Sequence, residues 1–316
     1  MNQYRLSIVI PVYGVEKFIL EFIQSIFPQL NEKIECIFID DGSQDNSIKI
    51  LEKEYNKVKD KQSIKIIYQK NMGIGAARNT GLKIAKGDFI SFLDPDDIIN
   101  DDYISTILNI IETQGDKIDL IHINADVLEL NKKKSKIKIA EKTGLTTIDQ
   151  NYLLQHFSKN RWQPWLRVFN KKILQDFSFP TNCILEDLMS FPFLYKLDIN
   201  IYEINKELIT YRLSNNNATS KKNDLYFKSY KSAAQLYQKH IENEYFKIIY
   251  FNIIDAVFNI KLRSNDFKAY NKYINEYQEH INQIKKFKNM SSKKKIGYTY
   301  PTLFYIYKTR FFSKKF

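Results

Sequence analysis

The sequence has few of the residues and patterns that mark several large protein classes. Its 316 residues include only two cysteines, four histidines and nine glycines. No stretch reaches the roughly 18 consecutive apolar residues that a membrane-spanning helix needs. Residues 1–5 lead directly into a strand-like run, without the apolar segment and small-residue cleavage site of a signal peptide. We therefore expect a cytoplasmic protein.

The cysteines and histidines do not form the patterns of metal or hydrolase sites. Cys36 and Cys183 are far apart and have no metal-ligand spacing, so we expect both to be reduced. No Gly-x-Ser-x-Gly nucleophile turn occurs. The histidines, also without ligand spacing, are His122, His156, His240 and His280. Zinc-dependent and serine-hydrolase chemistry are thereby disfavoured.

Charge is unevenly distributed along the chain. The formal net charge is +12, and residues 221–316 hold 20 Lys+Arg against 7 Asp+Glu. Residues 1–220 are close to neutral. The distribution predicts a neutral domain over 1–220 and a basic, aromatic-rich helical appendage over 221–316.

The neutral part alternates strand and helix patterns. The predicted strands are Leu6–Val12, Ile34–Ile39, Ile64–Tyr68 and a run ending at Asp94. The predicted helices between them cover about 15–27, 45–55 and 74–86, the last with Gly87 as its C-terminal cap. Such alternation predicts an α/β fold with a mainly parallel sheet and flanking helices. Ligands of these sheets bind at the carboxyl ends of the strands.

Candidate functional residues stand at the end of each of the four strands. They are Pro11-Val12-Tyr13, Asp40-Asp41-Gly42-Ser43, Asn71 with Gly73–Arg78, and Asp94-Pro95-Asp96-Asp97. The last segment holds three carboxylates within four residues, whose mutual repulsion favours a bound cation. Oxygen ligands of this kind suit Mg2+ or Mn2+. Taken alone, such a segment is more often a solvated turn or a helix cap.

Four segments, in this order and spacing, resemble the family 2 glycosyltransferases of the GT-A fold. They are Ile8–Tyr13, Ile39–Asp45, Gly73–Gly81 and Asp94–Asp97. The resemblance implies a Rossmann-like domain that transfers a sugar from a nucleotide-sugar donor, with a UDP-sugar as the expected donor. It implies bacterial cell-surface polysaccharide or lipooligosaccharide synthesis as the setting.

The resemblance also implies roles for donor-side residues. Those assigned to the nucleotide are Pro11, Val12, Tyr13, Asp40, Asn71, Arg78 and Asp94. Asp96 would bind Mn2+ or Mg2+ together with Asp94, and Asp97 would be a further ligand or would orient the others. Arg212, which follows Tyr211, would lie near the diphosphate. Two alternatives stay open here: a structural role for Asp41, and a surface helix position for Arg78.

On the acceptor side, the resemblance points to the pair Glu186-Asp187. Inverting transfer needs a base that removes the proton of the acceptor hydroxyl, and Asp187 is the expected base. Glu186 would orient it or bind the acceptor, although acidic pairs are also common at ordinary helix N-termini. Trp165 would stack on an acceptor sugar or belong to the core.

The C-terminal region predicts a membrane contact. Lys293–Phe316 mixes cations with aromatic residues, as segments at a membrane interface do. We expect it to bring the protein to the inner face of the membrane, where a lipid-linked acceptor lies. A solvated basic helix or an oligomer contact is the alternative. No nucleic-acid recognition motif accompanies the charge, so we expect no nucleic-acid partner.

Together these patterns predict a metal-dependent, inverting glycosyltransferase that acts on a saccharide or lipid-linked saccharide. A non-catalytic GT-A-like binding protein and a sugar nucleotidyltransferase are the alternatives. The second would need a Gly-rich, Lys/Arg-bearing loop after the first strand, where Val12–Lys17 is a poor match.

Overall fold

The structure is a computed structural model that describes residues 4–58, 63–129, 134–213 and 224–263, with the single positions 272, 275 and 278. The chain divides into two compact units between Ser229 and Tyr230. The boundary predicted between residues 220 and 221 lies outside the described residues and stays a prediction. The basic segment Lys293–Phe316 lies outside them as well.

The described residues contain ten strands and eight α-helices. The strands are β1 Leu6–Val12, β2 Ile34–Asp40, β3 Ile64–Tyr68, β4 Phe89–Phe92, β5 Ile98–Ile99, β6 Leu120–Leu128, β7 Lys134–Ile137, β8 Gly144–Thr146, β9 Arg167–Asn170 and β10 Ile201–Arg212. The helices are α1 Ile19–Ile26, α2 Ser47–Tyr55, α3 Ile74–Ile84, α4 Tyr103–Gln114, α5 Gln150–Lys159, α6 Glu186–Ser190, α7 Asp224–Gln238 and α8 Glu244–Arg263. No helix among these residues is both long and apolar enough to cross a membrane.

The strands form one mixed sheet, eight of them in the order β3-β2-β1-β4-β9-β6-β10-β5, with β7 paired to β6 and β8 paired to β10. Strands β1 to β4 are mutually parallel, with Leu6 opposite Ile34 on one side and Phe89 on the other. Strand β9 is antiparallel to both β4 and β6, while β6 and β10 are parallel. The carboxyl ends of the first four strands therefore meet at one edge, as the sequence predicts.

Burial explains why the first strands read as continuous apolar runs. Every residue of β1 and β2 is buried, which is typical of strands covered by helices on both faces. Helix α1 covers the sheet with one apolar face, formed by Ile19, Phe22, Ile23 and Ile26. It is shorter than the predicted 15–27, because Val15 begins a turn and Pro28 lies in a 3-10 turn that follows the helix.

The predicted end of α3 is wrong. The helix ends at Ile84, two residues before the predicted end. Its C-terminal cap is Ala85, in an extended conformation, and not Gly87. Gly87 instead lies against β1, where its N–H donates to Ser7 Oγ at 2.7 Å. A Cβ atom at Gly87 would lie 2.5 Å from the backbone nitrogen of Ser7, so this glycine permits close approach of two backbones.

The contact makes Gly87→Ala a test of the packing between β1 and the turn before β4. We expect it to lower the free energy of unfolding by about 1–3 kcal/mol, because backbone must move to admit the methyl group. Gly115→Ala is the matched control, since Gly115 is helical and its nearest neighbour would be 3.4 Å away. Urea denaturation measures both, and equal midpoints would contradict the close approach.

Candidate functional site

The end of β1 contributes one exposed side chain to the edge. Pro11 and Val12 are buried within the strand, whereas Tyr13 is 54% exposed. The carbonyl of Val12 accepts from Asp41 N at 3.0 Å. Of the three predicted base contacts, Tyr13 is therefore the one whose side chain is available to a ligand.

The turn after β2 is built around two aspartates with different partners. Asp40 Oδ1 accepts from Ser43 N at 2.8 Å, which closes the turn through Gly42 at φ +73°. A Cβ atom at Gly42 would lie 3.0 Å from Asn71 N, so the turn packs directly on the loop after β3. The side chain of Asn71 itself is exposed.

Asp41 holds that neighbouring loop in place. Its carboxylate accepts from Gln69 Nε2 (2.7 Å), Met72 N (2.9 Å) and Gly73 N (2.8 Å). Asp41 is 3% exposed, so these bonds account for a carboxylate that would otherwise be costly to bury. These contacts support the structural role that the sequence analysis left open for Asp41.

Arg78 lies at the centre of the site rather than on the surface. Its guanidinium Nη2 pairs with Asp94 Oδ1 at 2.7 Å, and Nη1 pairs with Glu186 Oε1. The side chain is 1% exposed and lies over the ring of Phe179 at 5.6 Å. Arg78 thus connects α3, the end of β4 and the start of α6. Both of its terminal nitrogens, Nη1 and Nη2, are paired with carboxylates.

The acidic cluster after β4 has more negative charge than its surroundings balance. Burial, followed by the charges of Asp96 and Asp94, raises the pKa of Asp97 well above its usual range. Burial and Asp94 raise the pKa of Asp96 to about 6. Asp97 Oδ1 accepts from Arg212 N at 3.0 Å, but its buried Oδ2 has no hydrogen-bond partner among the described residues.

These carboxylates fit a divalent cation, although not as a three-carboxylate cage. Within the described ranges, no group of three or more His, Cys, Asp or Glu side chains could hold a metal ion together. Asp97 is turned toward the Arg212 backbone, which suits an orienting role. Asp96, with Asp94 beside it, matches a Mg2+ or Mn2+ site that takes one or two carboxylates and completes its shell with phosphates and water.

The acidic pair at the start of α6 is divided between two environments. Glu186 is 5% exposed and bound to Arg78, so a direct contact between Glu186 and an acceptor does not fit. Asp187 is partly exposed, and its Oδ1 accepts from Leu188 N at 2.6 Å. Burial and the charge of Glu186 raise the pKa of Asp187 to about 7. A carboxylate with that pKa suits general-base chemistry near neutral pH.

Two other predicted residues have partners that the sequence did not indicate. Arg212 Nη2 pairs with Glu21 Oε2 at 2.5 Å, and the guanidinium lies over Phe18 at 5.7 Å. It lies at the rim of the acidic cluster, whose carboxylates it helps to keep ionised. Trp165 is 2% exposed and stacks on Tyr211 at 5.1 Å, so its predicted stacking on an acceptor does not fit its place in the core.

Some residues of the site escaped the sequence analysis. Asn79 holds Phe179 through two bonds, accepting from its N–H at 2.8 Å and donating to its carbonyl at 2.9 Å. Asn79 lies within the Gly73–Gly81 motif, and that position was a signal in the sequence that could have identified it. No sequence pattern pointed to Phe179. Tyr68 (56% exposed), the last residue of β3, and Met72 (49%), in the loop after β3, add apolar surface beside the turn of Asp40.

Comparison with known sequences identifies a family. The model of the family described as glycosyl transferase family 2 matches residues 7–174. The putative glycosyltransferase EpsH of Bacillus subtilis is 34% identical over 190 residues, covering 59% of this chain and 53% of that protein. The minor teichoic acid biosynthesis protein GgaB of B. subtilis is 32% identical over 191 residues, covering 57% of this chain and 20% of that protein. The chain thus spans about half of one relative and a fifth of the other.

Comparison with solved structures confirms the predicted GT-A fold. TarS of S. aureus, in complex with UDP-GlcNAc, has a TM-score of 0.70 at 20% identity, covering 97% of this chain and 89% of that chain. The mannosyltransferase PcManGT from Pyrobaculum calidifontis, in complex with GDP-Man and Mn2+, has a TM-score of 0.51 at 14% identity, covering 96% and 84%. The likeness extends along the chain beyond the residues that the family model matches.

The bridge made by Arg78 can be tested through stability. We expect Arg78→Met to lower the free energy of unfolding by about 3 kcal/mol or more, because it leaves Glu186 and Asp94 without their cation. Lys206→Met is the matched control: it removes an ion pair with Asp102 in which both side chains are exposed, and should cost less than about 1 kcal/mol. Similar losses for the two variants in urea denaturation would contradict the bridge.

Proposed function

The chain belongs to glycosyl transferase family 2, and on that premise we propose that it is a metal-dependent, inverting glycosyltransferase. It moves a sugar from a nucleotide-sugar, with a UDP-sugar as the expected donor, to a saccharide or lipid-linked saccharide. The carrying observation is the bridge from Asp94 through Arg78 to Glu186. It connects the donor-side strand ends to the segment that holds Asp187.

The donor fits the edge formed by β1 to β4. Tyr13 offers an exposed ring to the base, and Asp40, at the closed turn, offers a carboxylate oxygen to a base N–H. Asn71 extends from the loop that Asp41 holds against this turn. Asp94 would contact the ribose, and its bond to Arg78 supports this proposal by holding the carboxylate; Arg78 would then be a fixed support and not a direct nucleotide contact.

The acidic cluster would hold the divalent cation through Asp96 and Asp94. When bound, such a cation neutralises charge on the departing nucleoside diphosphate. Asp97 supports this arrangement by accepting from Arg212 N, which fixes the end of β10 against the cluster. The Arg212 guanidinium adds positive charge at the same rim and would face the diphosphate region.

Asp187 would act as the base. In the proposed reaction its carboxylate accepts the proton of the acceptor hydroxyl as that oxygen attacks the anomeric carbon from the face opposite the diphosphate. The bond between the anomeric carbon and the diphosphate oxygen breaks, and inversion results. Glu186 positions the base by holding the start of α6 on Arg78.

Cell-surface glycan synthesis is the setting we propose, with the protein in the cytoplasm and at the inner face of the membrane. It is supported by the similarity to a protein named for minor teichoic acid biosynthesis. The basic, aromatic segment Lys293–Phe316 is the part of the sequence that would meet the membrane surface.

Calorimetry with UDP and Mn2+ tests the cation site. We expect Asp96→Ala to weaken Mn2+-dependent UDP binding at least about tenfold, equivalent to roughly 1.4 kcal/mol, because the most available ligand is lost. Asp101→Ala, which changes an exposed aspartate five residues along the chain, should bind as the original protein does. Unchanged affinity in Asp96→Ala would refute the assignment.

Asp187→Asn separates binding from transfer. We expect it to bind UDP normally and to lose roughly a hundredfold or more in transfer, because the amide cannot accept the proton. In the original protein the transfer rate should fall as pH drops below about 7, since the pKa of Asp187 is raised to about 7 and the protonated form is inactive. Transfer to an acceptor panel from UDP-sugars, followed by chromatography between pH 5.5 and 9, measures both.

Asp176→Asn, which changes an exposed carboxylate before α6, serves as the control. Full activity in Asp187→Asn would remove Asp187 from the mechanism. Donor binding without transfer or hydrolysis, across all donors and acceptors tried, would favour the non-catalytic binding protein instead.

A further inference from the structure

A second concentration of buried polar side chains lies among β6, α5, β9 and β10. We call it the Arg167 cluster, and its members are His122, Tyr152, His156, Trp162, Arg167, Tyr195 and Glu203. Five rings pack on one another there; the ring of His156 lies 5.0 Å from that of His122 and 4.6 Å from that of Tyr195. None of these residues was given a role in the donor or acceptor site above.

Arg167 is a buried cation without a paired carboxylate. Its side chain is fully buried and takes part in none of the ion pairs of the described residues. Its acceptors are neutral: Tyr195 Oη (2.6 Å), the carbonyls of Arg161 (2.6 Å) and Gln163 (3.1 Å), and His156 Nε2 (3.1 Å). The rings of Trp162 and Tyr195 lie 5.4 and 5.6 Å from the guanidinium carbon. Its positive charge is therefore little neutralised locally.

The other titratable groups of the cluster do not remove this charge. Burial, the charge of Arg167 and, for His122, the charge of His156 hold both histidine pKa values well below their usual range. Glu203 lies at the far end, reached from Tyr195 only through His122 Nε2 (2.7 Å) and then Tyr152. Lys159 pairs with Glu141 at the surface. At neutral pH the histidines are uncharged, and the guanidinium is the central cation.

Tyr195 connects Arg167 to the proposed base. Helix α6 is followed by the 3-10 turn Phe191–Leu194 and then by Tyr195, so the segment 186–195 begins with the acidic pair and ends at the hydroxyl that Arg167 holds. Burial and Glu186 raise the pKa of Asp187, whereas Arg78 and Arg167 oppose that rise. The charge of Arg167 thus acts on the Asp187 carboxylate in addition to the charge of Arg78.

We propose that Arg167 is a positioning residue for Asp187: it holds Tyr195 at the end of segment 186–195 and supplies an unpaired, buried positive charge to the acidic pair. Arg78 binds Glu186 directly, while Arg167 acts on Asp187 without contact. The importance of this arrangement for sugar transfer rests on the proposed function; the arrangement itself does not.

Carbon-detected NMR titration of the labelled Asp187 carboxyl tests the charge without any substrate. The resonance is assigned by its absence in Asp187→Asn. We expect Arg167→Met to raise the Asp187 pKa by at least about half a unit, and Arg167→Lys to restore it, because lysine keeps the charge. Lys159→Met, which removes a cation on the outer side of the cluster, should leave it unchanged. A folded Arg167→Met protein in which Asp187 titrates as in the original would overturn the proposal.

Hydrogen exchange tests the positioning, and it covers the case in which Arg167→Met does not fold. Tyr195→Phe removes only the hydroxyl that Arg167 holds. We expect amide exchange over residues 186–194 to accelerate roughly tenfold, while β1 stays protected. Equal protection of residues 186–194 in the two proteins would overturn the anchoring role.

The pH dependence of transfer links the inference to catalysis and separates the two proposals. If Asp187 is the base, the midpoint of the pH–rate profile should move upward in Arg167→Met with the NMR pKa. A shift in the NMR pKa without transfer activity in the original protein would leave this inference standing and count against the proposed function. An unmoved profile beside a shifted NMR pKa would contradict a role for Arg167 in catalysis.

Discussion

The pairing of the Arg78 guanidinium with two carboxylates is the interaction on which the candidate site depends. The guanidinium is buried on α3 and binds Asp94 after β4 and Glu186 at the start of α6. These two carboxylates lie 92 positions apart in the sequence and would repel each other if they were brought together without a cation. The ion pairs therefore neutralise two acids and connect the end of β4 to the segment that presents Asp187.

The other carboxylates of the site are less well neutralised. Asp96 and Asp97 share the end of β4 with Asp94, and Asp187 adjoins Glu186, so burial and like charge raise their pKa values. In the proposed enzyme the negative charge of these carboxylates would be neutralised in a different way in each of the two regions. The cluster after β4 would take a divalent cation, and Asp187 would take a proton. Two buried arginines, Arg78 and Arg167, limit the rise of the Asp187 pKa, and in the proposed reaction this would keep the carboxylate able to act as a base near neutral pH.

Prediction succeeded where the signal is local. The apolar runs of β1 to β3 are each followed directly in the chain by the residues of the candidate site. The strands and their shared edge could therefore be predicted from spacing. Gly87 shows the limit: as a glycine after a helical pattern it predicts a cap, yet a contact with Ser7, eighty residues away, determines its role. Trp165 shows the same limit of local prediction. Only its packing on Tyr211 in the folded protein distinguishes a core tryptophan from one that stacks on a sugar.

The sequence by itself determined the family, the α/β alternation and the set of acidic residues, because these depend on residue type and spacing along the chain. Only the tertiary structure decided which partners and which degree of exposure each acidic residue has. Asp41 became a support of the loop after β3, Glu186 a partner of Arg78, and Asp187 a partly exposed carboxylate with a raised pKa. The reason is physical: charge, burial and hydrogen-bond partners act through space, and folding brings together groups that the chain keeps far apart.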